Sequence, residues 1–245
     1  MRLRAACAVA SILLLSAGRA GAAPIQVFET DFNGPLAPEI SPGAATLTGV
    51  QGFAGLGPAG NQFGGNFLRS PTGNTVTLEL TGLPLHDTIT LEFLFAAIDS
   101  LDGTGTFPAG DFFKIVFDGA TLFSESFANA LPTQIQSYVP PPGVELARHQ
   151  DLGFNGPGSF YTDSAYNLGA DPRFANFSHT GSTATIEFFI FGEGNQSLDD
   201  ESWAMDNLRV SVTTLQPTAV PEPASLTLLG TALAAAATRL RRRKK

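Results

Sequence analysis

Between residues 24 and 215 the sequence predicts an all-β fold: two antiparallel sheets packed face to face as a sandwich. Three observations carry that expectation. Apolar and polar residues alternate with period two in one stretch after another, as half-buried strands require. No stretch of this region holds a helical period over a convincing length. Phenylalanine occurs 20 times, mostly at strand spacing, and its large rings would fill the space between two sheets.

Taken in order, Ile25 to Phe32 alternates and stops at the turn signal Asn33-Gly34-Pro35. Residues 37–65, rich in Gly, Pro and Ala, read as irregular loop with one short strand near 45–50. Residues 75–80 put Val76, Leu78 and Leu80 on one face. Residues 88–97 put Ile89, Leu91, Phe93 and Phe95 on one face and Leu94 on the other, the pattern of a central strand. Residues 112–117, then Asp118-Gly119, then 121–127 form the clearest hairpin, because Asp-Gly tolerates the positive φ values of a type I′ turn. Residues 131–171 read as loop, broken by Pro140-Pro141-Pro142-Gly143 and Gly156-Pro157-Gly158. Strands resume at 173–179, 183–191 and 203–213, which brings the expected total to about nine.

The two ends are of a different kind. Met1-Arg2-Leu3-Arg4, an apolar core from Ala5 to Leu15 and Ala20-Gly21-Ala22 have the order of a helical secretory signal peptide, 1–22, cleaved after Ala22 or one residue later. At the other end, after a linker at 216–219, a stiff Pro221-Glu222-Pro223 spacer precedes an apolar run and a basic block, Arg239 to Lys245. The run is read as a single transmembrane helix over about 224–240, near the minimum length for a membrane span. The basic block would stay on the cytoplasmic side.

Charge and cysteine content exclude several functions. Cys7 is the single cysteine and lies in the signal peptide, so the exported domain can form neither a disulfide nor a thiol-based site. Outside the ends, 21 acids face five bases (Arg69, Lys114, Arg148, Arg173 and Arg209), a formal charge of −16. Nucleic acid is excluded as a partner, because binding it needs a basic footprint. Divalent cations and neutral sugars suit this surface better.

Two acidic loops form the leading candidate site. Asp99-Ser100-Leu101-Asp102-Gly103, with Asp111 shortly after, and Asp199-Asp200-Glu201, with Asp206 beyond, offer the carboxylates that a structural calcium ion needs. Such a cofactor would staple two loops in a domain without disulfides. For sugars, the aromatic candidates are Tyr161, Tyr166 and Trp203. Nothing singles out a catalytic pair: His86, His149 and His179 are isolated, and HExxH and G-x-S-x-G patterns are absent, so the chain is read as no enzyme. A glycoside hydrolase-like activity, resting on carboxylate pairs, is the weaker alternative.

The tail resembles the PEP-CTERM sorting signal: Val220-Pro221-Glu222-Pro223 matches its motif, Ala224–Thr238 its membrane helix and Arg239–Lys245 its basic terminus. That resemblance, over 220–245, implies a Gram-negative, often exopolysaccharide-producing bacterium. An exosortase would read Pro221, Glu222 and Pro223, remove the tail at the inner membrane and pass the protein outward. The stretch Asp200 to Val210, the Asp99–Gly103 loop and the Gly110–Gly119 hairpin also resemble jelly-roll domains of such exported proteins. The function expected is a non-enzymatic, structural or adhesive component of an exopolysaccharide matrix or biofilm. A calcium-supported carbohydrate-binding module is the alternative.

Overall fold

The computed structural model describes residues 23–104, 110–154, 162–192, 195–214, and 231, 232 and 239. Residues Ala23–Leu215 form one unit; the terminal segments Met1–Ala22 and Gln216–Lys245 group as another, in which Thr231, Ala232 and Arg239 are helical. Among the described residues no helix is long and apolar enough to cross a membrane. The expected signal peptide, and the expected span apart from those three positions, lie outside them.

Thirteen strands are described: β1 (Ile25–Thr30), β2 (Ile40–Ser41), β3 (Thr46–Gly49), β4 (Asn66–Pro71), β5 (Thr75–Thr81), β6 (Thr88–Asp99), β7 (Phe112–Phe117), β8 (Ala120–Ser126), β9 (Glu145–Gln150), β10 (Asp163–Tyr166), β11 (Phe177–Ser178), β12 (Thr183–Phe191) and β13 (Glu201–Thr213). One sheet runs β3-β4-β13-β6-β10-β9, with β1 also on β13 and β11 on β6; the other runs β2-β5-β12-β7-β8. Every pairing is antiparallel. Apart from the β7–β8 hairpin, the strands β4, β5, β6, β7, β8, β10, β12 and β13 alternate between the sheets so that β4-β13-β6-β10 face β5-β12-β7-β8. This is the jelly-roll order, in which closely paired strands come from distant parts of the chain.

The core follows from strand parity. Phe93 and Phe95 of β6, Phe113 of β7, Phe188 of β12 and Trp203 and Met205 of β13 point between the sheets. Phe95 and Phe113 centroids lie 4.3 Å apart across the gap. The alternate residues Leu94, Ala96 and Ile98 of β6 and Ala204 of β13 point the other way, into a second apolar cluster with Phe53, Phe63, Phe67 and Phe154. The phenylalanines therefore serve two cores, not one. From Phe93 onward β6 is buried on both faces, one in the inter-sheet core and the other against the second cluster, as Leu94 predicted.

The hairpin turn between β7 and β8 has φ of 48° at Asp118 and 79° at Gly119, the type I′ geometry expected. Two expectations are corrected. Residues 131–171 are not all loop: β9 and β10 lie within them and extend the first sheet. Residues 173–179 are not a strand: Pro172–Phe174 is a 3₁₀ turn capped by the Asp171 side chain accepting from Arg173 N, and only Phe177–Ser178 pairs.

Candidate metal centre

The jelly-roll path brings three of the seven acidic candidates together. Asp102 follows β6 in a loop that bridges to Ala128; Asp111 immediately precedes β7; Glu201 opens β13. One carboxylate oxygen from each lies within 4.8 Å of the others. Because β7 and β13 belong to opposite sheets, the cluster closes one end of the sandwich. Parity selects Glu201: it shares the inward face of Trp203 and Met205, and only 1% of it is exposed.

Local hydrogen bonds fix the three groups. Asp102 N donates to Asp111 Oδ2 (2.6 Å), Gln134 Nε2 to Asp102 Oδ1 (2.6 Å) and Gln196 Nε2 to Glu201 Oε1 (2.7 Å). Glu201 Oε2 is buried with no hydrogen-bond partner among the described residues. Burial raises the Glu201 carboxyl to about 9, with repulsion from Asp111, Asp102 and Asp200 adding to it. Burial likewise raises Asp111 to about 6, against the Asp102 N–H bond. Asp102 is raised by burial, opposed by the Gln134 bond. Three carboxylates so placed hold protons or a cation, because ionised and bare they repel in a poorly solvated site.

The other four acids lie apart from this cluster. Asp200 borders it, accepting from Ser100 Oγ at both its carbonyl (2.9 Å) and Oδ1 (3.2 Å). Asp199 is exposed. Asp99 turns away through a positive φ of 65° and meets Arg69, whose Nη2 lies 3.4 Å from its Oδ2. Asp206 has the opposite parity from Glu201 and accepts from Gly64 N (3.1 Å) and Asn207 N (2.7 Å) beside the second core.

Two of the three sugar candidates are corrected. Trp203 and Tyr166 are fully buried in the inter-sheet core and offer no face to a ligand; Tyr161 lies outside the described residues. Strand parity instead brings Phe112, Phe189 and Phe191 onto the outer face of the second sheet. The Phe112 and Phe191 rings stack at 5.6 Å, and Lys114 Nζ lies 5.7 Å from the Phe191 centroid. Phe191 is 42% exposed. The alternation in residues 183–191 carried that signal, since Phe189 and Phe191 share parity opposite to the core residue Phe188.

The histidines are not all isolated either. His86 and His179 stack, with His86 Nε2 and His179 Nδ1 2.7 Å apart, and His179 Nε2 lies 3.2 Å from Asp118 Oδ2. They tie the Pro84 turn to the β7–β8 hairpin. No sequence signal could pair residues so distant along the chain.

Comparison with known proteins adds one decisive match, outside the described domain. Residues 219–243 match the PEP-CTERM protein-sorting motif. The chain carries an exosortase sorting signal. A PEP-CTERM motif implies export and processing at the membrane by an exosortase. No curated protein matches the chain. Among solved structures, a family 35 carbohydrate binding module from Clostridium thermocellum is 11% identical with a TM-score of 0.33, over 76% of this chain and 99% of the module. A cycloisomaltooligosaccharide glucanotransferase from Paenibacillus is 12% identical with a TM-score of 0.32, over 77% of this chain and 18% of the enzyme. The Agl-KA catalytic domain is 17% identical with a TM-score of 0.32, over 88% and 32%. The chain thus spans a minor share of both enzymes, and TM-scores of this size do not establish a common fold.

Proposed function

We propose that this PEP-CTERM protein is a non-enzymatic surface or matrix component of a Gram-negative bacterium, with the sandwich at 24–215 as the cargo that reaches the exopolysaccharide. The sorting motif at 219–243 is the observation that carries this reading. It supplies the address, and a jelly-roll closed by paired, phenylalanine-rich sheets supplies a durable cargo without disulfides. On this reading 1–22 is removed on export, 216–219 is a linker, and Pro221, Glu222 and Pro223 are read by the exosortase, not used for chemistry.

Replacing Pro221 and Pro223 together with alanine should leave the full-length precursor in the inner membrane. Immunoblots of membrane, surface and matrix fractions would show it, while the wild type appears shortened and outside. Normal processing of the variant would return the tail to the role of a simple anchor.

A second reading, carbohydrate binding, is favoured by the half-exposed Phe112, Phe189 and Phe191 with Lys114, a ring surface of the kind that stacks on sugars. A glycan array with the full chain separates the two readings. Binding that Phe191→Ala abolishes would establish the second; no binding leaves a passive matrix role.

A further inference from the structure

We propose that Asp102, Asp111 and Glu201 hold a calcium ion that clamps the two sheets together at one end of the sandwich. This site goes beyond the sorting and matrix roles and does not depend on them.

The donors are all carboxylate oxygens, with neither histidine nor cysteine in the group, which selects a hard cation. Their separation fits within the roughly 5 Å that two oxygens on one calcium ion can span, at about 2.3–2.6 Å from the metal. Magnesium demands a tighter octahedron and is usually held by one or two carboxylates with several waters retained. Three carboxylates therefore favour calcium.

A cluster of acids alone would not carry this assignment. Glu201 Oε2 does: it is buried, belongs to a residue aimed into the cluster, and has no hydrogen-bond partner among the described residues. Leaving a buried acceptor unsatisfied is costly, and more so for a charged group. No described ion pair reaches any of the three carboxylates, so among the described residues no basic side chain supplies their countercharge. Arg69, which bonds Ser202 beside Glu201, is occupied by Asp99 and by the Leu198 carbonyl.

The position gives the ion a task. Glu201 begins β13 in the first sheet, Asp111 begins β7 in the second, and Asp102 sits in the loop between β6 and β7. Gly192 closes the same end, where a Cβ would lie 2.6 Å from Gly110 O and 3.3 Å from Asp111 Oδ1. One ion would thus cross-link elements about a hundred residues apart, in a domain that has no cysteine to do so.

The full chain, stripped with chelator, should be titrated with calcium chloride by calorimetry and melted with calcium and with chelator. One calcium per chain is expected, in the sub-millimolar to millimolar range usual for extracellular modules, with a melting midpoint raised by several degrees. Magnesium at equal concentration should raise it less. Asp111→Asn and Glu201→Gln should each weaken calcium binding at least tenfold, whereas Asp206→Asn, outside the cluster, should not. Should either buried variant fail to fold, half-buried Asp102→Asn gives the same comparison. Identical wild-type melts in calcium and chelator would overturn the proposal and leave shared protons as the occupants. Unchanged affinity in the folded variants would overturn it too.

Discussion

Replacing Arg69 with methionine should destabilise the domain by about 3–5 kcal/mol, the usual cost of stripping one partner from a buried ion pair. At 2–4 °C per kcal/mol for a domain of this size, the melting midpoint should fall by roughly 10 °C. Arg69 sits in β4 with its side chain 9% exposed. Its Nε donates to Ser202 Oγ (2.9 Å), its Nη2 to the Leu198 carbonyl (2.7 Å) and to Asp99 Oδ2 (3.4 Å), and its guanidinium lies 4.4 Å from the Phe154 centroid. Burial lowers the guanidinium's own pKa, against the charges of Asp99, Asp199 and Asp163. Methionine keeps much of the volume against Phe154 but removes the guanidinium from the buried Asp99 carboxylate. The double variant Arg69→Met with Asp99→Asn should recover part of the loss, because the buried charge that lost its guanidinium is gone. A shift under about 0.5 kcal/mol in the single variant, typical of a surface site, would show that the pair contributes nothing.

Arg69 also marks how far the sequence could be read. Long alternating strands were legible in it: β5, β7 and β12 bury one face in step with their apolar residues, and β6 and β13 do so over half their length and bury both faces over the rest. β9 and β10 were not. Their sequences, Glu145 to Gln150 and Asp163 to Tyr166, carry no clean alternation, and β10, paired with β6 and β9, is buried throughout because Tyr166 packs in the inter-sheet core and Ala165 in the second cluster. Tertiary pairing, not local preference, makes them strands. The same applies to the site. That acidic loops meet was legible; which acids meet was decided by parity, the positive φ at Asp99 and the cross-sheet path. The Glu201–Trp203–Met205 face could be read from periodicity, and it placed Trp203 in the core. The approach of Asp111 to Glu201 depends on the jelly-roll crossing, which no local pattern encodes.

Between pH 4 and 8 the domain should become less stable as pH rises, and Asp206 and Asp163 should account for several kcal/mol of that slope. Burial raises Asp206 to about 7, against the Gly64 and Asn207 N–H bonds, and Asp163 to about 6, against the N–H bonds of Leu152 and Asp99. Both are 1% exposed. A carboxyl whose pKa is higher folded than unfolded binds more protons in the native state. Its stabilising contribution is complete below about 4, the unfolded value, and is lost as pH rises through the folded one. At about 1.4 kcal/mol per pKa unit the two groups carry comparable shares, on the order of 3–4 kcal/mol each. Asp171 does not enter this window. Burial would raise it, but the hydrogen bonds and charge of Arg173 outweigh that and hold it below its ordinary value, so its contribution fades only under strongly acid conditions. Urea unfolding of wild type, Asp206→Asn and Asp163→Asn at pH 5 and pH 8 measures the effect. Each asparagine loses an acceptor or adds an unneeded donor, lowering stability at pH 5, yet it cannot ionise, so its loss between pH 5 and 8 should be smaller than that of wild type. Other titrating groups cancel in that difference. Equal slopes in all three proteins would mean that Asp206 and Asp163 ionise in the folded domain as easily as in water, and that their burial exacts no electrostatic cost.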